Sequence, residues 1–283
     1  MANLYKIMTF NVANTITLGG LLSILTIENP HIVMLQEVTV SSDQLSLIVK
    51  KHGYKAETNI DITNHTALGT GFIWKSYLPV SEVHSVVECR GQLLKLEGYN
   101  FVNIYAPSGS QNKQSRRIFF GQEIFRLVRG FDNSVPILAG DFNCILSPND
   151  TERNFDEKKC PALKNLVENF NYCDSYRHLN PNGGDFSFCR PKCSASRLDR
   201  FYVPPNLVGS VQSVTYHGSL SDHKYVIMLV ELPSVTSVSR LPLNKSSFWK
   251  LNTSILKDED FLENFSAMYE KLQLKISDFL TSV

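Results

Sequence analysis

No window of the 283-residue sequence holds the roughly 18 consecutive apolar residues that a membrane span needs. An excess of either charge is also missing. Twenty-eight Lys and Arg stand against 27 Asp and Glu, for a formal net charge of +1. A polyanionic partner would therefore have to be held by a local basic face and not by overall attraction. Cysteine is sparse. Cys89, Cys144, Cys160, Cys173, Cys189 and Cys193 include no CxxC. The one close spacing, Cys189-x-x-x-Cys193, lacks the further ligands a tetrahedral zinc site requires, so reduced, mostly buried thiols are expected. The start, Met-Ala-Asn-Leu-Tyr-Lys, has no apolar core after a basic stretch, so no secretory signal is expected. A soluble, intracellular chain follows as the expectation. Internal repeats and low-complexity tracts are absent too. What remains is 43% hydrophobic and 19% charged, enough apolar material for a sizeable core.

Short apolar runs recur, and each ends in polar residues. Residues 5–10 stop at Asn11, 32–36 at Glu37, 101–104 at Tyr105, and 135–139 at Gly140-Asp141; 225–231 follow Ser221-Asp222-His223. Runs of this length read as strands buried on both faces. Between some of them apolar residues recur at helical spacing: Leu18, Leu21, Leu22 and Leu25; Phe120, Ile124, Leu127 and Val128; Leu163, Leu166, Val167 and Phe170. With the alternating stretch 84–97, the pattern predicts a two-sheet α/β sandwich covered by helices over residues 1–232. A Ser- and Pro-rich linker is expected over 233–247. A helical segment is expected over 248–283, opening on the Asp260-x-x-Glu263 capping box, with Phe261, Phe265, Met268, Leu272, Ile276 and Phe279 along one face.

Asn11, Glu37, Tyr105, Asp141, Asn143, Asp199, Asp222 and His223 fall at or just beyond strand edges, where a rigid sheet can hold side chains around a ligand. These residue types suit phosphodiester hydrolysis. A divalent cation on hard oxygens offsets phosphate charge, and Glu37, Asn11 and Asp222 offer such ligands. Asp141 is placed to orient and deprotonate water. Tyr105, Asn143 and His223 can donate to phosphoryl oxygens. Asp199 would orient His223 and favour its charged form if the fold brings the two together.

The segments TFNVAN (9–14), MLQEV (34–38), GTGFIW (69–74), NIYAPSGS (103–110), LAGDFNCIL (138–146), DFSF (185–188), SRLDRFYV (196–203) and SDHKYV (221–226) resemble, in order, those of the exonuclease–endonuclease–phosphatase superfamily. The chain is most similar to the apurinic-like endonuclease domain of non-LTR (LINE-type) retrotransposon proteins. Residues 246–265 resemble the segment that leads toward a reverse transcriptase in such polyproteins. The resemblance implies a DNase I-like sandwich and a DNA endonuclease that nicks one strand and leaves a 3′-hydroxyl. In a LINE setting that end would prime reverse transcription of element RNA in the nucleus, beside a reverse transcriptase module. It implies Mg²⁺, replaceable by Mn²⁺, held by Glu37 with Asn11 and Asp222. It assigns Tyr105 and His223 to the scissile phosphate, Asp141 to water, Asn143 to phosphate orientation, Asp199 to His223, and Ser187 to substrate contact. Two departures stand out: Ala13 and Asn14 replace the usual acidic or amide residue and Gly, and Ser108 replaces Asn.

Basic residues cluster in two stretches. Arg116 and Arg117 lie in the first, and Arg190, Lys192 and Arg197 in the second; both are candidates for phosphate contact without sequence reading. The loop at 189–196 matches the place where relatives insert a hairpin into the groove. Rival readings keep the chemistry on another substrate, such as abasic-site DNA or a phosphoinositide, or make the chain an inert DNA-docking module. No membrane partner is expected.

Overall fold

In a computed structural model of the chain, the residues described are 2–13, 18–61, 63, 68–131, 135–152, 155–189, 195–219 and 221–233. The strands are β1 (Ala2–Asn11), β2 (Ile32–Val38), β3 (Tyr54–Asn59), β4 (Gly69–Lys75), β5 (Val80–Val87), β6 (Gly91–Leu96), β7 (Tyr99–Tyr105), β8 (Ile137–Asp141), β9 (Cys173–Asp174), β10 (Asp199–Val203), β11 (Val211–His217) and β12 (Tyr225–Pro233). The helices are α1 (Leu18–Glu28), α2 (Ser42–Lys50), α3 (Lys113–Ile118), α4 (Phe125–Arg129), α5 (Phe155–Lys158), α6 (Pro161–Asn169) and α7 (Ser175–Leu179), with a π-helical turn over Phe119–Ile124 joining α3 to α4. Two six-stranded mixed sheets result, ordered β11-β12-β1-β2-β4-β3 and β5-β6-β7-β8-β10-β9. This is the α/β sandwich that the strand pattern predicts. Among the described residues, no helix is long and apolar enough to cross a membrane.

Strand alternation sorts the side chains into layers. Ile7, Ile32, Met34, Phe101 and Ile137 point into the core between the sheets. Their neighbours point outward. Met8, Phe10, Val33 and Leu35 pack with Leu21 and Leu25 of α1 and Leu45 and Val49 of α2. Val102, Ile104 and Leu138 meet Phe120, Ile124, Leu163 and Leu166. The strands are apolar on both faces because both faces are covered. Strand β12 extends to Pro233, paired with Ala2, so the strand reaches the residue at which the linker was expected to begin. The rest of the expected linker and the C-terminal helical segment lie outside the described residues.

The topology delivers the polar strand ends to one edge. β1 and β2 run parallel, as do β7 and β8, so Asn11 registers with Gln36 and Tyr105 with Asp141. β10 runs antiparallel to β8 and starts at the same edge, opposing Asp199 to Asp141. Gly140 is required here: its φ is +137°, and a Cβ would fall on the Ile104 carbonyl oxygen of the paired strand. Gly140→Ala is expected to destabilise the domain by about 3 kcal/mol or more. Urea denaturation checks this, and an unmoved midpoint would contradict the backbone geometry described.

Candidate active site

Local backbone irregularities aim the strand-end side chains. In β2 the ladder to β4 jumps between Gln36 and Val38, so Glu37 is the extra residue of a bulge, at φ +59°. A bulge re-aims one side chain, and this one turns Glu37 toward Asn11. Asn143 adopts φ +49°, which Asn tolerates well, and its backbone N–H donates to Asp141 Oδ1 at 2.9 Å. Ala13 sits at φ +43°, a conformation that costs alanine about 1 kcal/mol or more.

The convergence is tight. Asn11 Nδ2 donates to Glu37 Oε1 and to Asp141 Oδ2, each at 3.0 Å, and so ties a residue of one sheet to a residue of the other. Its Oδ1 accepts the Ala13 N–H at 3.0 Å. Asn11 thus bridges two carboxylates as a donor, while its Oδ1, the atom expected to face a metal, accepts one backbone N–H. Tyr105 donates to Glu37 Oε1 at 3.3 Å. Asn143 Nδ2 donates to Asp141 Oδ2 at 3.1 Å and to the Ala106 carbonyl at 2.9 Å, which holds Asp141 in place. His223 Nδ1 meets Asp199 Oδ2 at 2.8 Å, and both residues are buried. The imidazole also packs on Phe188, ring centroids 5.0 Å apart. Ser221 Oγ donates to the Asn11 carbonyl and accepts the His223 N–H, both at 3.0 Å, pinning the Asp222-His223 turn to β1. Half-buried Asp222 borders the same turn.

Charge is unbalanced in this cleft. Burial pushes the Asp141 carboxyl up to about 7; Asp199 adds to the rise, while His223, the Asn143 N–H and Asn11 restrain it. Burial opposes the charging of His223, but Asp199 at hydrogen-bond distance, with Asp141 and Asp222 behind it, outweighs burial and lifts the imidazole to about 9. Four carboxylates, Glu37, Asp141, Asp199 and Asp222, thus gather around two cations, His223 and Arg90. Asp199 Oδ1 is buried with no hydrogen-bond partner among the described residues. An excess of hard anionic oxygens fits a divalent cation such as Mg²⁺. Ligand atoms of Asp141, Asp199 and His223 do approach within 4.8 Å of one another. However, an imidazole held cationic by Asp199 is not a ligand, so Glu37 and Asp222 are the better holders.

The remaining predicted contacts divide. Arg117 is exposed. Arg116 is 5% exposed and donates to the Pro107 and Gly109 carbonyls at 2.7 and 2.8 Å, so it braces the loop after β7 instead of facing a ligand. Arg197 is likewise corrected. At 1% exposure it forms ion pairs with Asp150 at 2.9 Å and Asp174 at 2.6 Å. Ser187, expected at the substrate, is fully buried; its Oγ accepts the Leu198 and Asp199 N–H groups at 2.9 Å each and so holds Asp199 in position. Arg190 and Lys192 lie outside the described residues, as does most of the loop expected to reach the groove. Sequence reasoning missed Arg90. Its guanidinium lies 4.5 Å from the Tyr105 ring centroid, and its Nη1 is buried without a hydrogen-bond partner among the described residues. The signal was a lone Arg-Gly at the turn between two alternating strands.

The chain resembles known proteins in sequence and in fold. The profile of the Endonuclease/Exonuclease/phosphatase family matches residues 8–223. The chain is 30% identical over 174 residues to the 149 kDa protein of transposon TX1 from Xenopus laevis, covering 59% of this chain and 12% of that protein. It is 25% identical over 260 residues to a DNA-(apurinic or apyrimidinic site) endonuclease of Dictyostelium discoideum, covering 81% and 72%. An AP endonuclease structure from Archaeoglobus fulgidus superposes with a TM-score of 0.71 at 19% identity, over 81% of this chain and 100% of that one. One from Leishmania major gives a TM-score of 0.71 at 19% identity, over 81% and 88%.

The Asp199–His223 pair makes a pH prediction. Because the folded pKa of His223 is raised, the pair stabilises the fold fully below the ordinary value of about 6.5. That contribution is then lost as pH climbs through about 9. NMR titration of the ring should show a midpoint near 9 in the wild type. In Asp199→Asn the midpoint should fall to about 6.5 or below, since burial then acts with less opposition. A wild-type midpoint near about 6.5 would remove the cation from the site.

Proposed function

The chain belongs to the endonuclease/exonuclease/phosphatase family, and on that footing we propose that it is a divalent-metal-dependent endonuclease that nicks one DNA strand and leaves a 3′-hydroxyl. The carrying observation is the convergence of Asn11, Glu37, Tyr105, Asp141, Asn143, Asp199 and His223, from distant parts of the chain, on one charged cleft. A bound Mg²⁺, or Mn²⁺ in its place, would neutralise phosphate charge and polarise the P–O bond, with Glu37 and Asp222 as the residues that hold it. Asp141, with a pKa near 7, is suited to align water and take its proton at neutral pH. Asn11 and Asn143 keep that carboxylate in one orientation. The His223 cation, the Tyr105 hydroxyl and Arg90 are donors for phosphoryl oxygens on which charge builds. Exposed Arg117 extends the basic surface along a duplex.

DNA as the substrate draws support from the names of the two curated relatives, a transposon protein and an endonuclease of apurinic or apyrimidinic sites. Because the chain spans only 12% of the transposon protein, we extend the proposal one step. The nick's 3′-hydroxyl would prime reverse transcription of element RNA in the nucleus by a separate polymerase module. Residues 1–232 would be the nuclease, with 233–247 and 248–283 leading onward.

Supercoiled-plasmid nicking tests the reading. Activity should require Mg²⁺ or Mn²⁺ and vanish with chelator. His223→Ala and Asp141→Asn should each lower the rate by about 100-fold or more. Arg90→Met should cost roughly 10- to 100-fold while leaving the denaturation midpoint in place. Wild-type protein equally inert with and without metal would leave only a DNA-docking module. An intact duplex assayed beside one carrying an abasic site separates general nicking from lesion cleavage.

The two neighbouring arginines provide an independent check. Arg117→Ala should weaken DNA binding and reduce the salt dependence by about one phosphate contact. Arg116→Ala should instead lower stability, because two loop carbonyls lose their donor. Equal effects of both on the salt slope would contradict the assignment.

A further inference from the structure

Cys144 and Cys160 are buried neighbours that the proposed hydrolysis does not use. The chain segments carrying them are joined by a parallel bridge between Ile145 and Lys159, and the Ile145 N–H donates to the Lys158 carbonyl at 3.1 Å. The bridge sets the Cys144 and Cys160 thiols beside each other in one buried cluster, where each perturbs the other. Cys160 is the residue before α6, whose first-turn Ala162 and Leu163 N–H groups, with Arg116 nearby, favour the charged form of the same sulfur. It also lines a cleft of about 930 Å³ bordered by Lys113, Arg117 and Lys159, which opens a path from solvent. Cys144 follows Asn143 directly, and its carbonyl is held by Arg200.

We propose that Cys144 and Cys160 form a reversible redox site, oxidised by hydrogen peroxide to a disulfide that strains the loop carrying Asn143. The neighbouring Cys144 thiol and the first-turn Leu163 and Ala162 N–H groups outweigh burial and hold the Cys160 thiol down at about 6, so it is a thiolate at neutral pH, while burial keeps Cys144 protonated. The Cys160 thiolate attacks one peroxide oxygen; the O–O bond breaks, hydroxide leaves, and a sulfenic acid forms. The Cys144 sulfur then attacks the Cys160 sulfur. The S–O bond breaks and the departing hydroxide takes the Cys144 proton as water. Two thiols and one peroxide give one disulfide and two waters. A disulfide brings sulfurs to about 2.05 Å, well inside the contact distance of two free thiols, so Cys144 must move and Asn143 with it.

The full chain is treated with hydrogen peroxide, blocked with iodoacetamide, digested without reduction and read by mass spectrometry. The expected product is one cross-linked peptide pair joining Cys144 to Cys160, two hydrogens lighter than the reduced pair and released by dithiothreitol. Cys160→Ser should abolish it without changing the reduced protein's denaturation midpoint. The same treatment should slow plasmid nicking several-fold in the wild type, reversibly, and leave Cys160→Ser unaffected. Oxidation confined to exposed Cys189, with both buried thiols alkylated after unfolding, would overturn the proposal. The mass readout needs no nuclease activity, so its failure is distinguishable from failure of the endonuclease reading.

Discussion

A buried polar belt between the two sheets underlies the rest of the structure. Gln36 Nε2 donates across the sandwich to Asn103 Oδ1 at 2.7 Å, and Asn103 Nδ2 returns bonds to the Leu35 and Gly71 carbonyls at 2.9 Å each. Thr9 shares Gln36 within its own sheet. Apolar packing alone is non-directional and would let one sheet slide on the other at modest cost. A slid sandwich would strand these amides without partners, each at roughly 1–3 kcal/mol. The belt therefore selects one relative placement of the sheets. One or two residues further along the same strands, that placement brings Asn11 within reach of both Glu37 and Asp141.

The site built on this belt is electrostatically unfinished. Asp199 carries a buried oxygen with no partner among the described residues, and Asp141 is pushed upward by burial and by Asp199. Natural cores satisfy such groups, so their concentration at one sheet edge marks a place where stability is given up for pre-set charge. The backbone agrees. Glu37, Asn143 and Ala13, each at positive φ, surround the same cleft. Three of the seven non-glycine residues at positive φ among the described residues thus gather where Asp199 leaves a carboxylate oxygen unbonded.

Much of this was legible in the sequence, for a physical reason. Strands buried on both faces leave polar residues conspicuous where the run stops, which is how Asn11, Glu37, Tyr105 and Asp141 stood out. The pairing of Asp199 with His223 could be read from residue chemistry only as a condition on the fold, because no local pattern encodes the long-range approach that meets it. Gln36 and Asn103 lay inside segments singled out for their neighbours. A polar residue amid a doubly buried strand was itself the signal, since it demands a partner across the core. Arg90 escaped because a single arginine at a hairpin turn is ordinarily solvated.

The basic residues failed differently. Arg116, Arg117 and Arg197 look alike in sequence, yet only Arg117 is exposed. Arg177 and Arg197 converge on Asp150, and Arg197 also grips Asp174, joining the segment before β10 to α7. Two carboxylates surrounded by guanidinium groups form a closed network, and removing one member would leave a buried charge uncompensated. Charge count along the chain cannot separate this network from a DNA-binding face, because the distinction lies in whether acids return to the same place in three dimensions. Here they do, close to Asp199. Asp150 accepts from Arg197, Arg197 precedes Leu198, and the Leu198 and Asp199 N–H groups end on Ser187 Oγ. The buried arginines thus act on the proposed phosphate site indirectly, by fixing the start of the strand whose first carboxylate charges His223.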